Sequence, residues 1–281
     1  MKKILIVGAE SKIGIALYQF LQKRNFKVFT TSKKKKRNSY YLNLKWKLEK
    51  WPDLPYCDTV ICCASIANLK DCEEKKKLTK QINVDGLKKV IKKYKQKRNT
   101  QVIFFSSPQV FGINKPFTNV NAIRRPLNNY GKKKKICEDI IIKNHGLVIR
   151  VSKILESLNH LLKKWIINLK EDKKIKPYID QYNSLVPMRN LLNIVLFSIE
   201  KNKKGIIHLS ATNEINYLEM ANILVKKLHL SNTLIEPVTS FKKLFYKMGK
   251  HSSLKISNET KKIINLKSSE QELRSYLKLL I

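Results

Sequence analysis

The tightest constraint on this chain is the order of patterns at its start. Lys3 to Val7 is a largely apolar run, followed at once by Gly8-Ala9-Glu10-Ser11-Lys12-Ile13-Gly14. Ile13, Ala16, Leu17, Phe20 and Leu21 then recur at helical spacing as far as Arg24, and a second apolar run covers Lys27 to Thr31. A strand buried on both faces reads as a continuous apolar run, and a helix laid over it shows apolar residues three and four apart. The pattern therefore predicts strand, tight turn, helix, strand. A glycine lets the backbone leave the first strand sharply, and the helix start that follows, at Lys12 and Ile13, offers amides with no carbonyl one turn earlier to bond. Such a helix start suits a pyrophosphate. Gly8 and Gly14 meet the need, while Ser11 stands where a third glycine is usual at this spacing.

An acidic residue at the end of the second strand would grip the ribose diol of NAD(H). Thr30-Thr31-Ser32-Lys33-Lys34-Lys35-Lys36-Arg37 contains none. Its hydroxyls and cations, Ser32 and Lys33 first among them, suit the extra 2′-phosphate, so NADP(H) is favoured over NAD(H). A solvated lysine loop is the alternative reading of the same residues.

The alternation continues. Tyr40 to Leu44 and Thr59 to Ala64 read as strands, Glu74 to Lys95 as one long helix, Gln101 to Ser106 as a buried strand, Asn129 to Asn144 as a helix and Gly146 to Val151 as a sixth strand. The small residues Cys63, Ala64 and Ser65 would let the chain lie against a cofactor. Beyond Ser152 the pattern loosens, with a helix near Ser157 to Leu169, a strand near Gly205 to Ser210, a helix from Tyr217 to His229 and a terminal helix from Ser268. The expected fold class is α/β, a Rossmann-type doubly wound parallel sheet with a small C-terminal substrate-binding lobe. Residues 1–152 would form the NAD(P)-binding domain and 153–281 mainly the lobe, with some segments returning to the first domain.

Within that frame Ser107, Tyr130 and Lys134 form a candidate catalytic set. A tyrosine hydroxyl can pass a proton to a carbonyl oxygen if its pKa is brought toward neutrality, and a lysine one helical turn on supplies the charge to do so. Ser107, at the end of a buried strand, would face the same oxygen. The spacing alone carries little, because Tyr41 with Lys45 and Tyr246 with Lys250 match it too. The setting, a buried strand before the pair and a helix around it, singles out Tyr130.

A length of 281 residues, with 43% hydrophobic and 28% charged, suits a globular protein with a real core. The formal net charge of +37 raises polyanions as partners. All but eight of the basic residues are lysines, spread along most of the chain beside many isoleucines and asparagines, which favours a coding bias and no specific nucleic-acid partner. The five cysteines, Cys57, Cys62, Cys63, Cys72 and Cys137, have no metal-site or disulfide spacing and read as small core residues in a reducing compartment. No metal pair is expected among the histidines, and His208 reads as a core residue. Glu73 with Glu74, and Glu138 with Asp139, read as surface or helix-packing groups. The apolar run after Met1-Lys2-Lys3 stops too early for an export signal, and no run approaches the length that spans a bilayer, so a cytoplasmic protein without a membrane partner is expected.

Taken together these pieces resemble the extended short-chain dehydrogenase/reductase superfamily of NAD(P)-dependent epimerases and dehydratases. Within it they are most similar to the dTDP-4-dehydrorhamnose reductase family. The residues carrying the resemblance are Gly8 to Gly14, Asp58 to Ile61, Cys63 to Ser65, Asn83 to Gly86, Ser107, Tyr130 through Glu138, Val148 to Arg150, Val186 to Leu191, Gly205 to Ser210 and Ser253 to Ser257. The resemblance implies that a nucleotide-activated 4-keto-6-deoxy sugar receives a hydride from NADPH while Tyr130 protonates the new alkoxide. It implies that Lys134 holds the nicotinamide ribose and Ser107 the carbonyl oxygen. It adds Asn43 and Leu44 to the cofactor contacts, and it implies a role in surface polysaccharide synthesis.

Departures from the family pattern at Ser11, Asn43, Cys62, Cys63, Ser65 and Lys153 keep an epimerase or dehydratase open as alternatives. A non-catalytic NAD(P)-binding regulatory protein is the reading from another class. The helices at Glu74 to Lys95 and Asn129 to Asn144 offer faces that a homodimer could use, though no residue requires one.

Overall fold

In a computed structural model, described for residues 1–95, 99–112, 115–240 and 246–281, the opening pattern becomes β1 (Lys2–Val7), α1 (Lys12–Gln22) and β2 (Phe26–Ser32). The chain continues through β3 (Tyr40–Tyr41), β4 (Thr59–Cys62), α2 (Leu69–Glu74), α3 (Lys76–Lys80), α4 (Gly86–Lys95), β5 (Gln101–Ser106), α5 (Asn129–Lys143) and β6 (Leu147–Val151). After the short β7 (Lys153–Ile154) come α6 (Asn159–Lys170), β8 (Tyr182–Asn183), β9 (Leu185–Val186), α7 (Met188–Glu200), β10 (Gly205–Leu209), β11 (Ile215–Asn216), α8 (Tyr217–Leu228), α9 (Asn258–Ile263) and α10 (Ser269–Leu280).

Seven strands form one parallel sheet in the order β10-β6-β5-β4-β1-β2-β3. The order reverses between β1 and β4, and a Rossmann-type sheet opens its crevice at the carboxyl ends of the strands flanking that point. Alternate strand residues serve opposite faces. Leu5, Val60, Val102 and Val148 join Leu87, Val90 and Ile141 from α4 and α5, whereas Ile4, Ile6, Ile61, Ile103 and Ile149 join Leu17 and Leu21 of α1 and Leu191, Ile194 and Val195 of α7. A third core, with Leu162, Trp165, Met220, Leu224, Leu273 and Leu277, belongs to α6, α8 and α10. The α/β fold with its doubly wound parallel sheet is thus as the sequence predicts.

Three local predictions need correction. The single helix expected from Glu74 to Lys95 is broken at Lys75, whose backbone (φ −107, ψ 50) leaves the helical region, and again by a π turn over Gln81–Asp85. The π turn aims Asn83 at the backbone of Ile66, whose amide and carbonyl it bonds at 2.8 Å each. The apolar spacing survives both interruptions, which is why it reads as one helix. The third strand ends at Tyr41 instead of Leu44, because Asn43 begins a turn, accepting from the Lys45 amide at 3.0 Å. The helix Met188–Glu200 is absent from the sequence reading, although its apolar residues recur at helical spacing.

Candidate active site

Gly8 follows β1 with φ +84, a conformation that glycine tolerates and other residues rarely adopt. A Cβ at this position would lie 2.6 Å from the backbone of Ala64, so the turns after β1 and β4 are packed back to back. Ser11 then caps α1, its Oγ accepting from the Gly14 amide at 3.0 Å. That bond serves the third amide of the helix. The first two belong to Lys12 and Ile13, which have no preceding helical carbonyl. The serine in place of a glycine is therefore accommodated by a capping role.

On the far side of the crevice, Ser107 follows β5 and accepts from the Gln109 amide at 3.3 Å, which leaves its hydroxyl proton available to another acceptor. The start of α5 lies against this loop, since a Cβ on Gly131 would come 2.2 Å from the Gln109 carbonyl. Asn128 caps that helix, accepting from the Gly131 amide at 2.8 Å and donating to Gln109 Oε1 at 2.9 Å and to the Lys247 carbonyl at 3.1 Å. Glu73 accepts from the Asn129 amide at 2.6 Å. Burial pushes the Glu73 carboxyl up, but the bonds from Asn129 and the charges of Lys76 and Lys133 outweigh it and hold the group below the ordinary glutamate range. Tyr130 is thus carried by a helix fixed at its first turn.

Lys134 is buried, at 7% exposure, and donates to the Phe105 carbonyl at 2.7 Å, with its amine 5.6 Å from the Tyr130 ring centroid. A buried ammonium with one carbonyl partner has further protons to donate.

Both sides meet in a cleft of about 600 Å³ that Ser11, Lys12, Ile13, Cys63, Ser65, Ser107, Tyr130 and Lys134 all line. Among the described residues, its charged lining groups are Lys12, Lys134 and Lys153. The remaining sequence-derived candidates lie outside the lining. Gly8, Gly14 and Ala64 back it. Ser32 is bound into its own turn, donating to the Lys34 carbonyl at 2.7 Å and accepting from the Lys34 amide at 2.9 Å, with Lys33 exposed beside it. Asn43 is half-buried in its turn, and Leu44 is a core residue packed near Gly86.

A dinucleotide suits these groups. The backbone at Gly8 has no room for a side chain, the helix start presents amides and a lysine, and Ser106 Oγ is buried on the cleft floor with no hydrogen-bond partner among the described residues. Burial pushes the Cys62 thiol up to about 12 and raises that of Cys63, so neither cysteine brings negative charge to the cleft. Among the described residues no cluster of histidine, cysteine, aspartate or glutamate could hold a metal ion, and no helix is long and apolar enough to cross a membrane.

Two sets of residues escaped the sequence. Glu10 sits beside the loop after β2, 3.4 Å from Lys36. Burial pushes its carboxyl up, yet the neighbouring Ser32 side chain, a hydrogen bond from Lys36 and the charges of Lys36 and Lys34 hold it lowered. The opposite cleft wall comes from the lobe, with Tyr178, Gln181, Tyr182, Tyr217 and Met248. Tyr182 is stacked on His251 at 4.9 Å and 15°, and Glu214 holds His251 Nδ1 at 2.6 Å. These residues share no spacing in the sequence, so no pattern could have collected them.

The family model described as "RmlD substrate binding domain" matches residues 1–281. Among solved structures, the dTDP-4-dehydrorhamnose reductase of Yersinia enterocolitica is 20% identical with a TM-score of 0.85, covering 100% of both chains. The dTDP-4-dehydrorhamnose reductase of Bacillus anthracis str. Ames, in complex with NADP, is 20% identical with a TM-score of 0.84, covering 99% of each chain. A mutant UDP-glucuronic acid 4-epimerase of Bacillus cereus, in complex with UDP-4-deoxy-4-fluoro-glucuronic acid and NAD, is 18% identical with a TM-score of 0.81, covering 99% of this chain and 100% of its own. No curated protein matches the chain by sequence.

Proposed function

Because the chain belongs to the RmlD substrate binding domain family, we propose that it is an NADPH-dependent reductase of a nucleotide-activated 4-keto-6-deoxy sugar, of the dTDP-4-dehydrorhamnose reductase type. It would serve surface polysaccharide synthesis in the cytoplasm. The observation that carries this reading is the convergence of Ser107, Tyr130 and a carbonyl-anchored Lys134 on one cleft.

The dinucleotide, when bound, supplies the hydride. Tyr130 donates its hydroxyl proton to the oxygen that becomes the alcohol, a role that contributes a factor of roughly 10² to 10⁴. Ser107 donates a hydrogen bond to that oxygen as negative charge develops on it. Lys134, anchored to the Phe105 carbonyl beside Tyr130, would hold the ribose with its remaining protons. Lys12 and the amides at the start of α1 would hold the pyrophosphate.

Residues 1–152 hold the dinucleotide and the catalytic groups, and 153–281 mainly supply the wall for the sugar nucleotide. The cations Lys33, Lys34 and Lys36 around Ser32 support NADP(H) over NAD(H), since a 2′-phosphate can displace the Glu10 carboxylate from Ser32 and Lys36.

The test is loss of NADPH absorbance with purified protein and a dTDP-4-keto-6-deoxyhexose, beside Tyr130→Phe and beside NADH. Stoichiometric consumption by the wild type is expected, with a fall of at least about 10³-fold for Tyr130→Phe and a preference for NADPH. A folded wild type that consumes neither cofactor, yet carries tightly bound dinucleotide after purification, would replace the reductase with an epimerase or dehydratase.

A further inference from the structure

Beneath the catalytic helix lies a charged cluster that the reaction itself does not use. Glu138 is wholly buried and Arg150 is 1% exposed. Arg150 donates from Nε to Glu138 Oε1 at 2.9 Å and from Nη2 to Glu138 Oε2 at 2.8 Å, two parallel bonds. Arg124 adds a third, from Nη1 to Glu138 Oε2 at 3.0 Å. Arg150 Nη1 reaches the Val120 carbonyl at 2.9 Å and lies 3.1 Å from His208 Nε2, while His208 Nδ1 lies 3.1 Å from the Lys255 carbonyl. The carbonyl of Lys255 requires a donor, which places the histidine proton on Nδ1 and leaves Nε2 to accept from the guanidinium.

The ends of this pair sit on the two elements that carry the proposed catalytic groups. Glu138 follows Tyr130 and Lys134 on α5 at successive intervals of four, so all three lie along one side of the helix. Arg150, on β6, is the register partner of Ser106, the residue before Ser107. The guanidinium also lies over the Phe111 ring, 4.7 Å from its centroid, in the loop that begins at Ser107. One side chain therefore touches the helix of Tyr130, the loop of Ser107 and, through His208, the strand β10.

We propose that Arg150 and Glu138 are positioning residues that fix the rotation of α5, and with it the placement of Tyr130 and Lys134 relative to Ser107. The inference rests on the catalytic reading given above. A buried ion pair seldom stabilises a fold more than apolar side chains of equal volume would. What it adds is direction, because two parallel N–H to O bonds tolerate little rotation of either partner. An apolar pair would fill the same space and leave the helix free to turn.

That difference supplies the experiment. Glu138→Gln and Arg150→Met each leave buried polar groups unpaired and lower Tm, whereas Arg150→Met with Glu138→Leu recovers part of that loss, the Val120 carbonyl and His208 Nε2 still lacking the guanidinium. In this double variant kcat is expected to fall by about tenfold or more while the KM for NADPH stays within about threefold of wild type. Amide exchange of the peptide covering 129–136, followed by mass spectrometry, is expected to quicken about tenfold while the strands keep their protection.

Wild-type kcat in a folded double variant overturns the proposal. If the wild type does not reduce the 4-keto sugar, the catalytic reading has failed and the exchange measurement alone decides whether the pair fixes the helix, unchanged exchange overturning it. Should the double variant not fold, Arg150→Lys keeps the charge and loses the paired geometry. There the same about tenfold fall in kcat supports the proposal and wild-type kcat overturns it.

Discussion

The two walls of the cleft are built by different means. The sheet-side wall hangs on strand ends: Gly8 after β1, Cys63 after β4, Ser107 after β5. Each is placed by a parallel register and by a core on both faces of the sheet. The lobe-side wall hangs on strands of two residues and on loops, and its side chains are placed by one another, as Tyr182 is by His251 and Glu214. The comparison separates two requirements. Proton and hydride transfer need atoms held within fractions of an ångström, and a strand end under a packed sheet supplies that. Recognition of a nucleotide would need surface and hydrogen-bonding groups that can adapt, and tyrosines on the two-residue β8 and at the start of α8 would offer those.

The sheet-side wall is expected to fail abruptly. Gly8→Val places a branched side chain where φ is +84 and Ala64 is 2.6 Å away. NADPH affinity, followed by its fluorescence, should drop about 100-fold, equivalent to about 3 kcal/mol. An unchanged Kd would show that this wall adapts as the other does.

The seam between the walls should yield to acid. Burial, and secondarily the Arg150 charge, push His208 down to about 4 from an ordinary 6.5. Between those values the unfolded chain binds a proton that the folded chain refuses, so stability falls as pH falls through the window. The penalty reaches on the order of 3 kcal/mol at its lower end. His208→Gln can accept from Arg150 and donate to the Lys255 carbonyl without titrating. Its denaturant midpoints should therefore change less between pH 6.5 and 4 than those of the wild type, and matching slopes would remove His208 from the seam.

The smallest effect is expected at the lobe. Tyr182→Ala should raise KM for the sugar nucleotide about tenfold, leaving kcat and the KM for NADPH within about threefold. A collapse of kcat at this residue would mean that the two walls are not divided as described.

What the sequence made legible follows the same line. The turn at Gly8 to Gly14 and the strand before Ser107 announce themselves because buried parallel strands are continuous apolar runs and their turns need particular residues. Tyr130 and Lys134 lie four apart on one helix, so their nearness is local. The pairing of Arg150 with Glu138 was hidden because two elements must pack before the residues meet, although both were visible in the family pattern. Asn83 was visible in the family pattern, but its bonds to Ile66 were hidden because the π turn leaves the apolar spacing of Leu78, Ile82 and Leu87 intact. The lobe tyrosines were hidden because they come from separate elements, Tyr182 from β8 and Tyr217 from the start of α8, which no single period links.

The placement of β10 bears on how the chain is made. Strand β6 lies inside the sheet only because Gly205–Leu209 returns to pair with it after the chain has left for the lobe. As the protein emerges from the ribosome, an early sheet would end at β6, whose Leu147, Val148, Ile149 and Val151 would lie on an open edge able to capture another nascent chain. Arg150 stands among them. Its guanidinium is held by Glu138 of the preceding helix, so that edge is closed only when Gly205–Leu209 has been made and pairs with it.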